Sequence, residues 1–360
     1  KLKGVRIMAY ISFQPSDYFN TKLYTGTGST NAITGVGFQP DWVWVKCRNN
    51  GKHHSVYDSV RGATKYLYMN LNYAEVTDSN SLTSFDSDGF SVGTFGDVNG
   101  SFNYASWNWK ANGTSTTNPS GGTITTTASV NTTAGFSVFT YTGNGSAAHV
   151  AHGLGVAPTV VIIKVRSTTD HWFVKHPGIA SNEYLYLNGD SAKVSGANAW
   201  SATNPDATKI YIGTDGGVNA SGVTYVCYAF AEKQGYSKFG SYTGNGSTDG
   251  TFVHTGFRPA FVINKRIDSS TGGSWILQDN TRGDNVRNPV DLSFSPTNNQ
   301  TESDWGDTFD CDYVSNGFKW RMDGTGGYNN TSGATYIYLA FAEHPFVGND
   351  SGTAVPVVAR

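Results

Sequence analysis

The sequence predicts an all-β protein: tandem β-sandwich units, three related repeats in one chain of 360 residues. Three observations carry that expectation. Aromatic residues make up 14% and charged residues 14%, with 43 glycines, a mixture that suits pleated surfaces and tight turns better than helices. One turn occurs three times: "LYTGTGS" at Leu23–Ser29, "TYTGNGS" at Thr140–Ser146 and "SYTGNGS" at Ser241–Ser247. The segments that follow each turn also correspond, at a spacing of about 100 residues, the size of one sandwich.

After each opening turn comes a Gly-x-x-Pro element: Gly37–Pro40, Gly155–Pro158 and Gly256–Pro259. A strand signal follows, "DWVWVKCR", "TVVIIKVR" and "AFVINKR", apolar at consecutive positions and so predicted to be buried on both faces. Lys46, Lys164 and Lys265 each stand six residues past the proline. Next, Tyr57–Gly62 ("YDSVRG") matches Gln278–Gly283 ("QDNTRG"), while the middle copy has Lys175–Gly178 ("KHPG"). Phe85–Val92 and the segment around Asn316–Gly317 carry Asp-Gly or Asn-Gly before an aromatic, a hairpin signal. Each copy closes on an aromatic strand: Tyr104–Lys110, Tyr225–Glu232 and Tyr336–Glu343. On it Ala105, Trp107 and Trp109 share one face, predicted to be core, and Tyr104 lies on the other.

These signals divide the chain into repeat 1 (1–110, with an N-terminal arm), a Thr/Ser/Gly-rich linker or edge strand (111–134), repeat 2 (135–235), repeat 3 (236–345) and a tail (346–360). A jelly-roll-like sandwich is the expected architecture, with a partly open barrel as the alternative. Stacked end to end, such units would make a rigid rod without disulfides. Cys47, Cys227 and Cys311 have no metal-type spacing and are expected to be buried free thiols.

The net charge of −2 is spread without blocks, which argues against a nucleic-acid stripe. No apolar run has the length to span a bilayer. The start lacks the apolar core and cleavage site of a signal peptide, and Met8 is a candidate natural start. The sequence shows no nucleophile elbow, no phosphate loop and no Cys–His pairing. His53 and His54, adjacent on a strand, would point to opposite faces and make poor joint ligands. "FDSDG" reads as a hairpin, and Glu302–Asp312 as a solvated acidic loop before a calcium site. The expectation is therefore no enzyme, no cofactor and no metal.

Asp58–Arg61 and Asp279–Arg282 share one spacing. They are expected to form a local turn with an ion pair, or a contact to a ligand or subunit. Trp172, Trp200, Trp275 and Trp305 fall in predicted loops, where exposed rings could stack on sugar. Asp58, Arg61, Trp172, Trp275, Asp279, Arg282 and Trp305 are thus the candidate contact residues.

The stretches "SDYFNTKLYTGTGSTNAITGVGFQPDWVWVK", "YDSVRGATKYLYMN", "LTSFDSDGFSVG", "HGLGVAPTVVIIKVRS" and "YIYLAFAEHPFVGND" resemble a family of virion-associated proteins of marine bacteriophages, described as tail-fibre or structural proteins. The resemblance runs from about Asp17 to Asp350. It implies concanavalin-like sandwich domains, location in the virion and no catalysis. It also implies other virion proteins as partners and assembly as a homo-oligomer (a trimer by analogy); as a tail appendage that touches the host, the protein would meet a host surface glycan through its loops. Capsid decoration or a head fibre is the alternative position, and a free glycan-binding module the alternative class. A hydrolase of surface polysaccharide is the third. The arm and the tail would suit attachment to another virion protein.

Overall fold

The computed structural model describes residues 14–113, 117–196, 198–282, 288–303 and 309–345. It is built almost wholly of antiparallel strands, so the all-β expectation holds. The strands fall into three sets with one connectivity. In each, an opening strand (Phe19–Thr25, Phe136–Thr142, Ser237–Thr243) pairs with the closing strand (Asn103–Trp109, Thr224–Phe230, Thr335–Pro345). The closing strand also pairs with the strand that follows the proline (Trp42–Cys47, Val160–Val165, Phe257–Arg266). A fourth strand (Ser55–Asp58, Trp172–Lys175, Ile276–Asp279) and a fifth (Lys65–Tyr68, Glu183–Tyr186, Ser293–Phe294) continue each large sheet, and Val76–Thr77 and Val194–Ser195 extend the first two. The closing strand lies between the opening and post-proline strands, which satisfy both of its edges.

A smaller sheet faces each large one. Asn31–Thr34, Gly89–Val92 and Leu82–Asp86 form the first, and Ala148–Ala151 with Lys209–Ile212 the second. The third joins Phe252–His254, Gly317–Trp320 and Cys311–Val314. Both predicted hairpins are present, with Asp86 opposite Gly89 and Val314 opposite Gly317. The three cysteines are buried and free.

The expectation of a rod needs correction. The face of Trp107 and Trp109 is core, as predicted, and it joins Trp42, Val226, Tyr228, Phe230, Leu339 and Phe341 in one core shared by all three sets. The core between each pair of sheets lies behind the opposite face, that of Tyr104, Tyr225 and Tyr336. The sets are therefore gathered about a common core and do not string out as a rod. The large sheets are apolar on both faces, and each fully buried large side chain contributes roughly 1.5–3 kcal/mol, so the second face must be covered as well. Sequence periodicity marks a face as apolar but does not say which neighbour covers it.

Of the two expectations for 111–134, linker or edge strand, Thr127–Asn131 is an edge strand: it pairs with Phe136–Thr142 and extends the second large sheet. No helix among the described residues is long and apolar enough to cross a membrane.

Candidate functional site

The recurrent opening turn is held by side chains that its own sequence does not contain. Asn99, Asn219 and Asn330 are fully buried. Their Oδ1 atoms accept from the N–H of Thr27 (2.9 Å), Asn144 (2.9 Å) and Asn245 (3.1 Å). Their Nδ2 groups donate to the carbonyls of Ser29, Ser146 and Ser247, and to those of Gly93, Gly213 and Met322. Below each turn two tyrosines stack at 5.0–5.1 Å: Tyr24 on Tyr104, Tyr141 on Tyr225 and Tyr242 on Tyr336. The hydroxyls of Tyr104, Tyr225 and Tyr336 accept from the N–H of Gly100, Ala220 and Thr331 and donate to the carbonyls of Gly96, Gly216 and Gly327.

Both glycines of the turn follow from this clamp. A Cβ on Gly26, Gly143 or Gly244 would come within 1.9, 2.4 or 2.3 Å of the carbonyl oxygen of Gly100, Ala220 or Thr331. Gly28, Gly145 and Gly246 have φ of +69°, +73° and +67°, which L side chains avoid. The clamping asparagines went unnoticed in the sequence. Their signal was "VNGS", "VNAS" and "NNTS", each asparagine five or six residues before the closing tyrosine.

The other recurrent residues meet at three joints, one between each pair of sets. At the first, the carboxylate of Asp58 pairs with Arg61 and accepts from the Tyr228 hydroxyl of the second set at 2.7 Å. At another, Asp279 pairs with Arg282 at 2.6 Å and accepts from Trp107 Nε1 of the first set at 2.9 Å. Trp107 and Tyr228 hold corresponding places on the closing strands. In the second set, where "KHPG" replaces the Asp–Arg turn, His176 Nε2 meets the Tyr338 carbonyl of the third set at 3.1 Å. Its Nδ1 accepts from the Gly178 N–H, so the proton lies on Nε2. Burial pushes the His176 pKa down to about 3, and the ring is neutral.

Backbone bonds repeat the same cycle. Glu75 N–H donates to the Arg166 carbonyl, Lys193 N–H to that of Ile267 and Glu302 N–H to that of Arg48, at 2.8–3.0 Å. The first set thus leans on the second, the second on the third and the third back on the first. Carboxylates strengthen two of these contacts: Glu75 bridges Arg61 and Arg166, and Glu302 bridges Arg48 and Arg282. Burial opposes the charge on Glu75, but its two arginines outweigh that and lower its pKa.

The three lysines that end the post-proline strands are fully buried. Each ammonium reaches a carbonyl of a neighbouring set: Lys46 to Asn299 (3.3 Å), Lys164 to Asn72 (3.3 Å) and Lys265 to Gly189 (3.2 Å). Desolvation lowers their pKa values to about 8, 8 and 7.

The predicted contact residues therefore have clear places. Asp58, Arg61, Asp279 and Arg282 are buried at joints, with Arg282 lying over the Phe294 ring at 4.4 Å. Trp172, Trp200 and Trp275 do not project from loops as expected but are at most 1% exposed. Trp172 Nε1 donates to the Tyr68 carbonyl of the first set, and Trp275 Nε1 to the Tyr186 carbonyl of the second, both at 2.9 Å. The reason is packing: both rings lie at the joints, where a large apolar body with one donor seals the seam. Trp305 and Gly283 lie outside the described residues.

At the centre, Trp42, Trp109, Phe230, Phe261, Leu339 and Phe341 help line an apolar cavity of about 30 Å³, a space too small for a ligand larger than water. Among the described residues no three His, Cys, Asp or Glu side chains gather as a metal site requires. What the arrangement does chemically is brace: buried donors and acceptors from different sets satisfy one another, and the exposed turns carry only Gly, Thr, Asn and Ser.

One family model, a domain of unknown function (DUF7483), matches residues 14–345, and the chain belongs to that family. The match spans all three sets together. No curated protein matches the chain.

Proposed function

We propose that the chain is a non-enzymatic structural protein of a bacteriophage particle, a tail fibre or appendage that mediates host attachment. The observation that supports this best is the closed cycle of joints. The recurrent charged and aromatic motifs hold three sets in one rigid body, and polar Gly/Thr/Asn/Ser turns are left as its exposed features. A body of this kind resists proteases and offers adaptable hydrogen-bonding loops to a surface. The resemblance to virion-associated proteins names the particle on which such a body would be displayed. In this reading the sets are tandem jelly-roll, concanavalin-like sandwich repeats. Other virion proteins are the partners, with a host surface glycan as the target of the loops. A homotrimer would then add a second threefold arrangement to one already closed within the chain.

The test is gold labelling of intact particles with an antibody to this chain, viewed by electron microscopy. Label at the tail is expected. Label over the capsid would make it a decoration or head fibre, and particles without label would end the virion reading.

A further inference from the structure

The second set departs from the other two at one buried position. On the fourth strand Tyr57, Lys175 and Gln278 hold corresponding places, opposite Val43, Val161 and Val262. All three are buried, yet only Lys175 is charged, and it is 4% exposed. Its ammonium donates to the Ser181 carbonyl at 2.7 Å and lies over the Trp200 ring at 5.6 Å. The lysines at the joints each donate to two carbonyls. Lys175 has one, and no carboxylate among the described residues pairs with it. Desolvation lowers its pKa to about 8, so it is still a cation at pH 7.

Lys175 lines a pocket of about 200 Å³ together with Pro158, Thr159, Pro177, Asn204 and Pro205. Pro177 and Asn204 are exposed, so the pocket opens to solvent. Thr159 Oγ1 is buried without a hydrogen-bond partner. The nearest acid in sequence, Asp206, is taken up by the N–H groups of Thr208 and Lys209 and by the Tyr211 hydroxyl. His176, also in the lining, has both ring nitrogens engaged.

These groups define a ligand. One unpaired cation in a desolvated place calls for one negative charge, and a dianion would leave charge uncompensated. The free ammonium N–H groups and the threonine hydroxyl call for oxygen atoms, and the prolines offer apolar walls to ring C–H groups. The pocket is smaller than the roughly 300–1,000 Å³ of sites for drug-sized ligands, so it holds a single ring.

We propose that this pocket binds an acidic sugar, a uronic or sialic acid unit of a glycan, with Lys175 on the carboxylate and Thr159 on a sugar oxygen. The choice of a sugar rests on the host-glycan reading above; the choice of a carboxylate does not.

Saturation-transfer NMR on the full chain, with free glucuronate and free N-acetylneuraminate as probes, tests this. Saturable binding of at least one acid is expected, and the acid that binds identifies the class. Glucose, which is glucuronate without the carboxylate, should bind at least ~10-fold more weakly than glucuronate if that is the acid bound. Lys175→Met, of similar length and uncharged, should abolish binding. Thr159→Val keeps shape and charge and should weaken it about 3–10-fold, which carries the test if the lysine variant does not fold. No saturable binding of either acid by wild type, undiminished binding by folded Lys175→Met, or acetate bound as tightly as the sugar acids would each overturn the proposal. Such a failure leaves the virion reading standing, because gold labelling tests that reading without any sugar.

Discussion

Replacing Lys265 by methionine tests the joints most directly. Its ammonium is buried where the third set meets the second, and its pKa is lowered to about 7 by desolvation. The unfolded chain restores the ordinary lysine value of 10.5. Between pH 7 and 10.5 the unfolded state therefore binds more protons than the folded state, and unfolding free energy rises with pH. Integrated from pH 7 to 8.5, Lys265 alone supplies about 2 kcal/mol of that rise, and Lys46 and Lys164, with folded values of about 8, on the order of 1 kcal/mol each. The window closes near pH 9. Burial raises the thiols of Cys47, Cys227 and Cys311 and the hydroxyls of the stacked tyrosines. Groups shifted upward lose their contribution as pH climbs past the unfolded value. Urea unfolding of wild type and Lys265→Met at pH 7.0, 7.75 and 8.5 is the assay. Wild type should gain stability across the series, and the variant should be the more stable protein at pH 7 with a shallower slope. A flat wild-type profile, or equal slopes in the two proteins, would refute the claim that these lysines are desolvated at the joints.

Trp109 packs against Trp42 at 4.4 Å and against Phe19, Phe261 and Phe341 of two different sets. Trp109→Ala should cost about 3–5 kcal/mol and still unfold in one calorimetric transition; three separate transitions in either protein would contradict a shared core. Asn219→Ala should cost roughly 2–3 kcal/mol by leaving buried partners unmet, with exchange protection lost at residues 142–147 and retained at the other two turns. Arg282→Ala should cost about 3–5 kcal/mol, because it strands the buried Asp279 carboxylate. A change below 1 kcal/mol in denaturant unfolding would mean that water replaces the arginine. Trp172→Ala should lower the melting temperature and leave any binding to host-envelope glycan, measured on folded protein, unchanged.

The division between sequence and structure follows the range of the forces. Strand identity, the hairpins at Asp86–Gly89 and Val314–Gly317 and the three corresponding copies were legible, because turn chemistry and apolar runs act over a few residues. The Asp–Arg spacing announced a local pair, and that pair is present twice. The role of the pair was not legible, since its further partners Tyr228 and Trp107 lie about 170 residues away in sequence. The tryptophans were misplaced for the same reason: a loop ring is exposed or buried according to which neighbouring unit covers it. The sequence by itself determined that three like sheets would form, each apolar on both faces. Only the tertiary structure decided that they turn those second faces toward one another and close a cycle. Burying both faces at once requires neighbours, and contacts between distant segments leave no periodic trace along the chain.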